Sequence, residues 1–112
     1  MSEFLLVFRR DYQTPELQPS PHALQNHLQH WANWFRSLAA QDKIAHPVIH
    51  FDGEGKVITG KKINPGPYRG VGGSIGGVLL LNAANYEEAI VIAGGSPILE
   101  YGGSIEIRLV LQ

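Results

Sequence analysis

Apolar and polar residues alternate along this chain with two different periods. From Glu3 to Arg9, Phe4, Leu6 and Phe8 fall on one side and Leu5 and Val7 on the other, which predicts a strand covered on both faces. Arg10–Pro19 is polar, contains prolines and predicts a loop. The period then lengthens. Leu24, Leu28, Trp31, Phe35 and Leu38 recur at helical spacing, with Trp34 beside them, and predict a helix running to about Asp42. Ser20 stands where an N-cap is needed, and Pro21 at the first helical position.

After Lys43 the period returns to two. Pro47–Phe51 and Lys56–Ile63 predict two strands, joined as a hairpin through Asp52-Gly53-Glu54-Gly55. Ile63–Gly76 holds two prolines and several glycines and predicts an ordered loop, with Tyr68 and Arg69 as its large side chains. It feeds a strand over Gly77–Leu81. Asn85 with Glu88 three residues on has the capping-box pattern, and Gly94-Gly95 closes the helix that follows. Ser96–Gly103 predicts a loop. Ile105, Ile107, Leu109 and Leu111 then alternate with Glu106 and Arg108 in a last strand.

The order strand, helix, hairpin, strand, helix, strand is the split β-α-β plan. The expected fold class is therefore α+β: a ferredoxin-like antiparallel sheet with two helices on one face. Residues 1–112 are expected to form one domain, about the size that supports a single core. The sheet face without helices carries Leu5, Val7 and half of Val78–Leu81, and an apolar face of that kind predicts a homodimer packed sheet to sheet.

Composition narrows the function. A net charge of −1 favours neither nucleic acid nor an anionic membrane as partner. The absence of cysteine excludes disulfides, thiolate metal sites and a cysteine nucleophile, and fits a reducing cytoplasm. Phe4–Phe8 is too short for a secretory signal, and no apolar run reaches the ~18 residues of a membrane span.

Several motifs are tempting. Gly55–Lys62 nearly matches a phosphate-binding P-loop, but its last position is Lys62 rather than Ser or Thr, and no helix follows. Gly72-Gly73-Ser74-Ile75-Gly76 matches the pattern of an esterase nucleophile, but a loop precedes Ser74 and a strand follows it. Five histidines, His22, His27, His30, His46 and His50, would need three or four to converge for a metal, and no metal or cofactor is expected. His27 is the strongest catalytic candidate: an imidazole one turn from Trp31 is suited to act as a general acid or base. Its bland alternative is a histidine at the rim of the helix–sheet contact. Arg9, Asp11 and Tyr12 leave the end of the first strand, where polar residues line pocket mouths, although Arg9 and Asp11 are also placed to pair with each other. Tyr68 is placed to close over a ligand or to pack across a dimer.

The chain resembles the YCII-related proteins, in particular their DGPF-domain branch. The resemblance rests on EFLLVFR, the helix SPHALQNHLQHWANWFRSLAAQDK, GPY leading to IGGVLLLNAANYEEAIVIA, and the closing PILEYGGSIEIRLV. It implies a dimeric α+β barrel of two ferredoxin-like protomers, a fold shared by muconolactone isomerase-like enzymes and by proteins of no known activity. It also implies a His/Asp catalytic dyad, for which His27 or His22 with Asp11 are the candidates. The chain departs from the branch motif Asp-Gly-Pro-Phe, because Pro65-Gly66-Pro67-Tyr68 stands there and the motif aspartate is lost. Asn64, one residue earlier, is able to hydrogen-bond but not to act as a base. Two readings follow. In the first, a small-molecule pocket between the sheet and the first helix uses His27 and Asp11 for isomerase- or lyase-like proton transfer, with Arg9, Tyr12, Trp31, Asn64 and Tyr68 binding the substrate. In the second, the protein is a non-catalytic dimeric structural or interaction module.

Overall fold

The computed structural model describes residues 1–111. Strand β1 spans Ser2–Arg10, helix α1 Pro21–Ala40 and strand β2 Ile44–His50. Strands β3 (Gly55–Thr59) and β4 (Lys62–Gly66) form a small arm. Strand β5 (Ser74–Ala83), helix α2 (Tyr86–Ala93) and strand β6 (Ser104–Leu109) complete the chain. Short 3₁₀ turns lie at Pro15–Leu17 and Pro97–Tyr101.

The main sheet has the order β2-β5-β1-β6, and each neighbouring pair is antiparallel. This is the expected ferredoxin-like α+β fold, with β1 and β5 in the centre. Antiparallel register places directly opposed residues on one face. Phe4 lies opposite Leu81 and Leu109, and Leu6 opposite Leu79 and Ile107. Phe4, Leu6, Leu79 and Leu81, with Phe8, Leu38 of α1, Ala89 and Ala93 of α2, and Ile98, make the core, and Ile107 packs against it. The opposite face carries Leu5 against Leu80 and Val7 against Val78. No described helix is long and apolar enough to cross a membrane.

Local signals set the helix ends. Ser20 Oγ accepts from the Ala23 amide at 3.2 Å, and Asn85 Oδ1 from the Glu88 amide at 2.9 Å. The capping box at α2 is only half formed, because Glu88 accepts from Lys43 Nζ at 2.9 Å and from the Ala84 amide instead of turning back to Asn85. Helix α1 ends at Ala40, two residues earlier than the sequence pattern implied, and Asp42 then takes a positive φ of 58°.

The hairpin lies elsewhere than expected. Pro47–Phe51 and Lys56–Ile63 do not pair. Instead β2 joins the edge of β5, and the Lys56–Ile63 run folds back on itself. The turn is at Gly60-Lys61, where Gly60 has φ 60°, the positive value that a two-residue hairpin loop takes at its first position. Pro47 lies in a stretch of broken register on the edge strand, the place a residue without an amide donor tolerates. The glycine loop is correspondingly shorter, since Ile63–Gly66 belongs to β4 and Ser74–Gly76 to β5.

Strand β5 divides the domain in two. On its helix-facing side, Leu79, Leu81 and Ala83 fill the space under α2 and the end of α1. The next residue on that side is Gly77, opposite Phe8. A register shift follows between Phe8 and Arg9, with Gly76 as the extra residue of β5. A side chain at Gly76 would run into the Tyr12 phenol. With glycines at 76 and 77 and Ser74 beyond, this end of the sheet leaves the first half of α1 unsupported. Leu24 and Leu28, which continue the apolar stripe of the helix, stay exposed there.

Candidate functional site

The unfilled end of the domain is a cavity of about 880 Å³. Its walls are mostly apolar: Leu24, Leu28, Trp31 and Phe35 of α1 on one side, Phe8, Val48 and Ile98 on the other. Polar groups enter from His27, Arg10, Tyr12, Gln18, His50 and Arg69. A concave apolar space with a few convergent polar groups is the usual form of a small-molecule site.

His27 is 4% exposed and has a partner at each ring nitrogen. Its Nδ1 lies 2.7 Å from Glu100 Oε1, and its Nε2 lies 3.0 Å from Trp31 Nε1. An indole N–H only donates, so Nε2 accepts and the ring proton is on Nδ1, pointing at the carboxylate. The imidazole is thus neutral, in one tautomer. Trp31 follows His27 by four residues, one helical turn, which brings the two side chains together. Glu100 arrives from the Pro97–Tyr101 turn, whose start is fixed by the Ile98 amide donating to Ser96 Oγ. The Tyr101 ring meets His27 edge to face at 4.8 Å. Glu100 also accepts from His30 Nδ1 at 2.7 Å. Burial pushes the Glu100 carboxyl up, but the hydrogen bonds from His27 and His30 outweigh it and hold the group below its ordinary value.

The carboxylate beside His27 is therefore Glu100, not Asp11. Asp11 closes the turn after β1: its Oδ1 accepts from the Gln13 and Thr14 amides, and its Oδ2 from Thr14 Oγ1 at 2.6 Å. The Thr14 hydroxyl, then the two amides, lower its pKa from 3.8 to about 2. Asp11 does not line the cavity.

The remaining expected site residues divide. Trp31 and Tyr12 line the cavity, and burial raises the Tyr12 phenol pKa. Arg9 points to the helix-free face and pairs with Glu106 at 2.6 Å rather than with Asp11. Asn64 pairs with Val57 in the β3–β4 arm and does not line the cavity. Tyr68 is 75% exposed and stands away from it, while its neighbour Arg69 reaches it. His22 is exposed on the first turn of α1. Among the described residues no three His, Cys, Asp or Glu side chains are placed to hold a metal ion. Lys62 sits in β4 and Ser74 in β5, and neither has the helix its motif would require.

Arg10, like Glu100, is a residue that sequence reasoning missed. It is 6% exposed, and its guanidinium lies over the Tyr12 ring at 4.8 Å and the Tyr101 ring at 5.3 Å. Its Nη2 donates to Gln18 Oε1 at 2.7 Å. The signal was parity: Phe4, Leu6 and Phe8 face inward on β1, and Arg10 is next on that side.

The chain matches no family profile and no curated protein. Among solved structures it is similar to 5-chloro-2-hydroxyhydroquinone dehydrochlorinase (TftG) from Burkholderia phenoliruptrix AC1100, in complex with 2,5-dihydroxybenzoquinone, with a TM-score of 0.51. The two share a fold. The match covers 97% of this chain and 94% of that one at 17% sequence identity, so it speaks for architecture and not for activity.

Proposed function

We propose that this chain is a YCII-related protein that binds a small molecule in the cavity between sheet and α1, and that His27 moves a proton there in an isomerase- or lyase-like reaction. One observation carries the reading: a buried, neutral histidine with a carboxylate on its Nδ1, at the wall of an apolar cavity. A carboxylate in that position fixes the tautomer and stabilises the imidazolium formed when Nε2 takes a proton. In this reading Glu100 takes the role for which the family resemblance made Asp11 a candidate. Trp31 holds Nε2 in the resting protein, so a substrate C–H must displace the indole N–H from that lone pair. A similar fold serves a dehydrochlorinase, and loss of HCl needs a base for the proton. The PILEYGG block that supports the family resemblance is also the segment that delivers Glu100.

A second reading, a non-catalytic dimeric module, is favoured by Trp31's hold on Nε2 and by Pro65 in place of the motif aspartate. In either reading we place the protein in the cytoplasm, on its lack of cysteine, as a homodimer joined through the Leu5, Val7, Val78 and Leu80 face.

The test offers the protein 5-chloro-2-hydroxyhydroquinone and a panel of butenolides in D₂O. Chloride release and deuterium incorporation are followed by NMR. Turnover by the wild type that falls by ~10²- to 10⁴-fold in His27→Gln supports proton transfer. Equal rates in the two proteins, or no turnover across the panel, would sink it in favour of the second reading.

A further inference from the structure

One buried charge in the cavity wall is unpaired. Arg9 and Arg108 both pair with Glu106, and Lys43 pairs with Glu88. Arg10, the most buried of the charged side chains, has no carboxylate partner among the described residues. Its Nη2 is satisfied by the neutral Gln18 amide, and its Nε is buried without any partner. Tyr12 and Tyr101 offer ring faces, which attract a cation but do not neutralise it. A buried cation without a counter-charge is strongly unfavourable, so its retention asks for an anion supplied from outside the chain.

Arg10 is also held in place. Gln18 Nε2 donates to the Asp11 carbonyl at 2.8 Å and to the Thr14 carbonyl at 3.1 Å. That fixes the amide with Oε1 toward the guanidinium. The turn that Asp11 closes is thus the support of the Arg10–Gln18 pair, which gives Asp11 a positioning role.

The lining around Arg10 defines the other half of a ligand. Phe8, Trp31, Phe35 and Tyr12 present flat apolar surface. Arg69 adds a second positive charge at an exposed position. Asp52, also exposed, is the single carboxylate of the lining.

We infer that Arg10 is the anion-recognition residue of this cavity, and that the ligand is a planar conjugated ring bearing an oxyanion, either a carboxylate or an acidic phenolate. The inference rests on the cavity being a ligand site and adds the class of ligand. The guanidinium pairs with the oxyanion while the ring lies among Phe8, Trp31 and Phe35. A charge-assisted contact in a desolvated site discriminates strongly against a neutral isostere.

The experiment is calorimetric titration at pH 7 with benzoate, pentafluorophenolate and neutral benzamide, with the fluorescence of the Trp31–Trp34 pair as a second readout. The wild type should bind at least one of the two anions ~10- to 100-fold more tightly than benzamide. Arg10→Met should erase that preference and keep the benzamide affinity, and Arg10→Lys should retain part of it. Which anion wins identifies the oxyanion. A wild-type ratio near one overturns the inference without any variant being needed, as does a preference that persists in Arg10→Met. Benzamide bound as well as both anions would leave the pocket standing and remove only its charge selectivity. Failure of all three to bind would remove the pocket as well.

Discussion

Glu100→Ala isolates the contact on which the site depends. The substitution removes the acceptor 2.7 Å from His27 Nδ1, on a side chain that is 4% exposed. The histidine has no way to relieve the loss. If the proton stays on Nδ1, a buried donor is orphaned; if it moves to Nε2, it faces the Trp31 N–H. Leaving one buried donor unsatisfied costs about 1–3 kcal/mol, toward the lower end if water enters the vacated space. For a domain of this size that lowers Tm by about 4–12 °C. The contact to His30 adds little, because both partners are more than a third exposed and the pair is screened. Glu100→Gln keeps an acceptor oxygen and should recover most of the loss. The sign with pH follows from the carboxyl. Burial raises its pKa, but the two histidine hydrogen bonds outweigh that and the net direction is down. Its stabilisation is therefore fully present above the ordinary glutamate value and is lost as pH falls through the lowered one. Urea and thermal melts of Glu100→Ala, Glu100→Gln and His30→Ala measure the cost, and ¹⁵N spectra of the histidine ring report the tautomer. A Glu100→Ala loss no larger than that of His30→Ala would refute the reasoning, as would a wild-type His27 with its proton on Nε2.

Two further outcomes are expected. The Asp11 carboxyl, lowered to about 2 by the Thr14 hydroxyl and the two amides, should keep its turn closed above pH 4 and release it as pH falls through about 2; an Asp11 carboxyl resonance titrating near 3.8 would contradict this. Native mass spectrometry should give a dimer, and Leu80→Lys, which puts a charge on a partly exposed position of the helix-free face, should give a monomer of unchanged circular dichroism; a wild-type monomer would refute the sheet-to-sheet pairing.

What the sequence showed and what it hid divide by distance along the chain. The caps at Ser20 and Asn85 act over three residues, so the residue types alone announce them. Inward parity on β1 and the stripe on α1 are equally local, and they carried the ferredoxin-like plan. The hairpin was misplaced because Asp52–Gly55 and Gly60-Lys61 are both good turns. The choice between them is settled by β2 finding β5 across the intervening arm, which no local pattern records. The same limit hid the site. Glu100 meets His27 across 73 residues, and the nearer acid in sequence, Asp11, is taken up by its own turn. Arg10 had the right parity but the wrong polarity, so it read as the start of a loop.

These features depend on one another through β5. Residues 77, 79, 81 and 83 share the helix-facing side, and three of them fill the core with Leu, Leu and Ala. That series does not continue with a large residue at position 77, where a Cβ would lie 2.9 Å from the Ile49 carbonyl oxygen of β2. Instead Gly77, the extra residue Gly76 and Ser74 withdraw side chains where Arg10 and His27 enter. A leucine at 77 would meet the Ile49 carbonyl and push β2 aside, next to a Phe8 ring that is already buried. The small residues of β5 are the counterpart of the buried polar ones. Together they leave a cavity with buried polar groups in its wall at this end of the sheet.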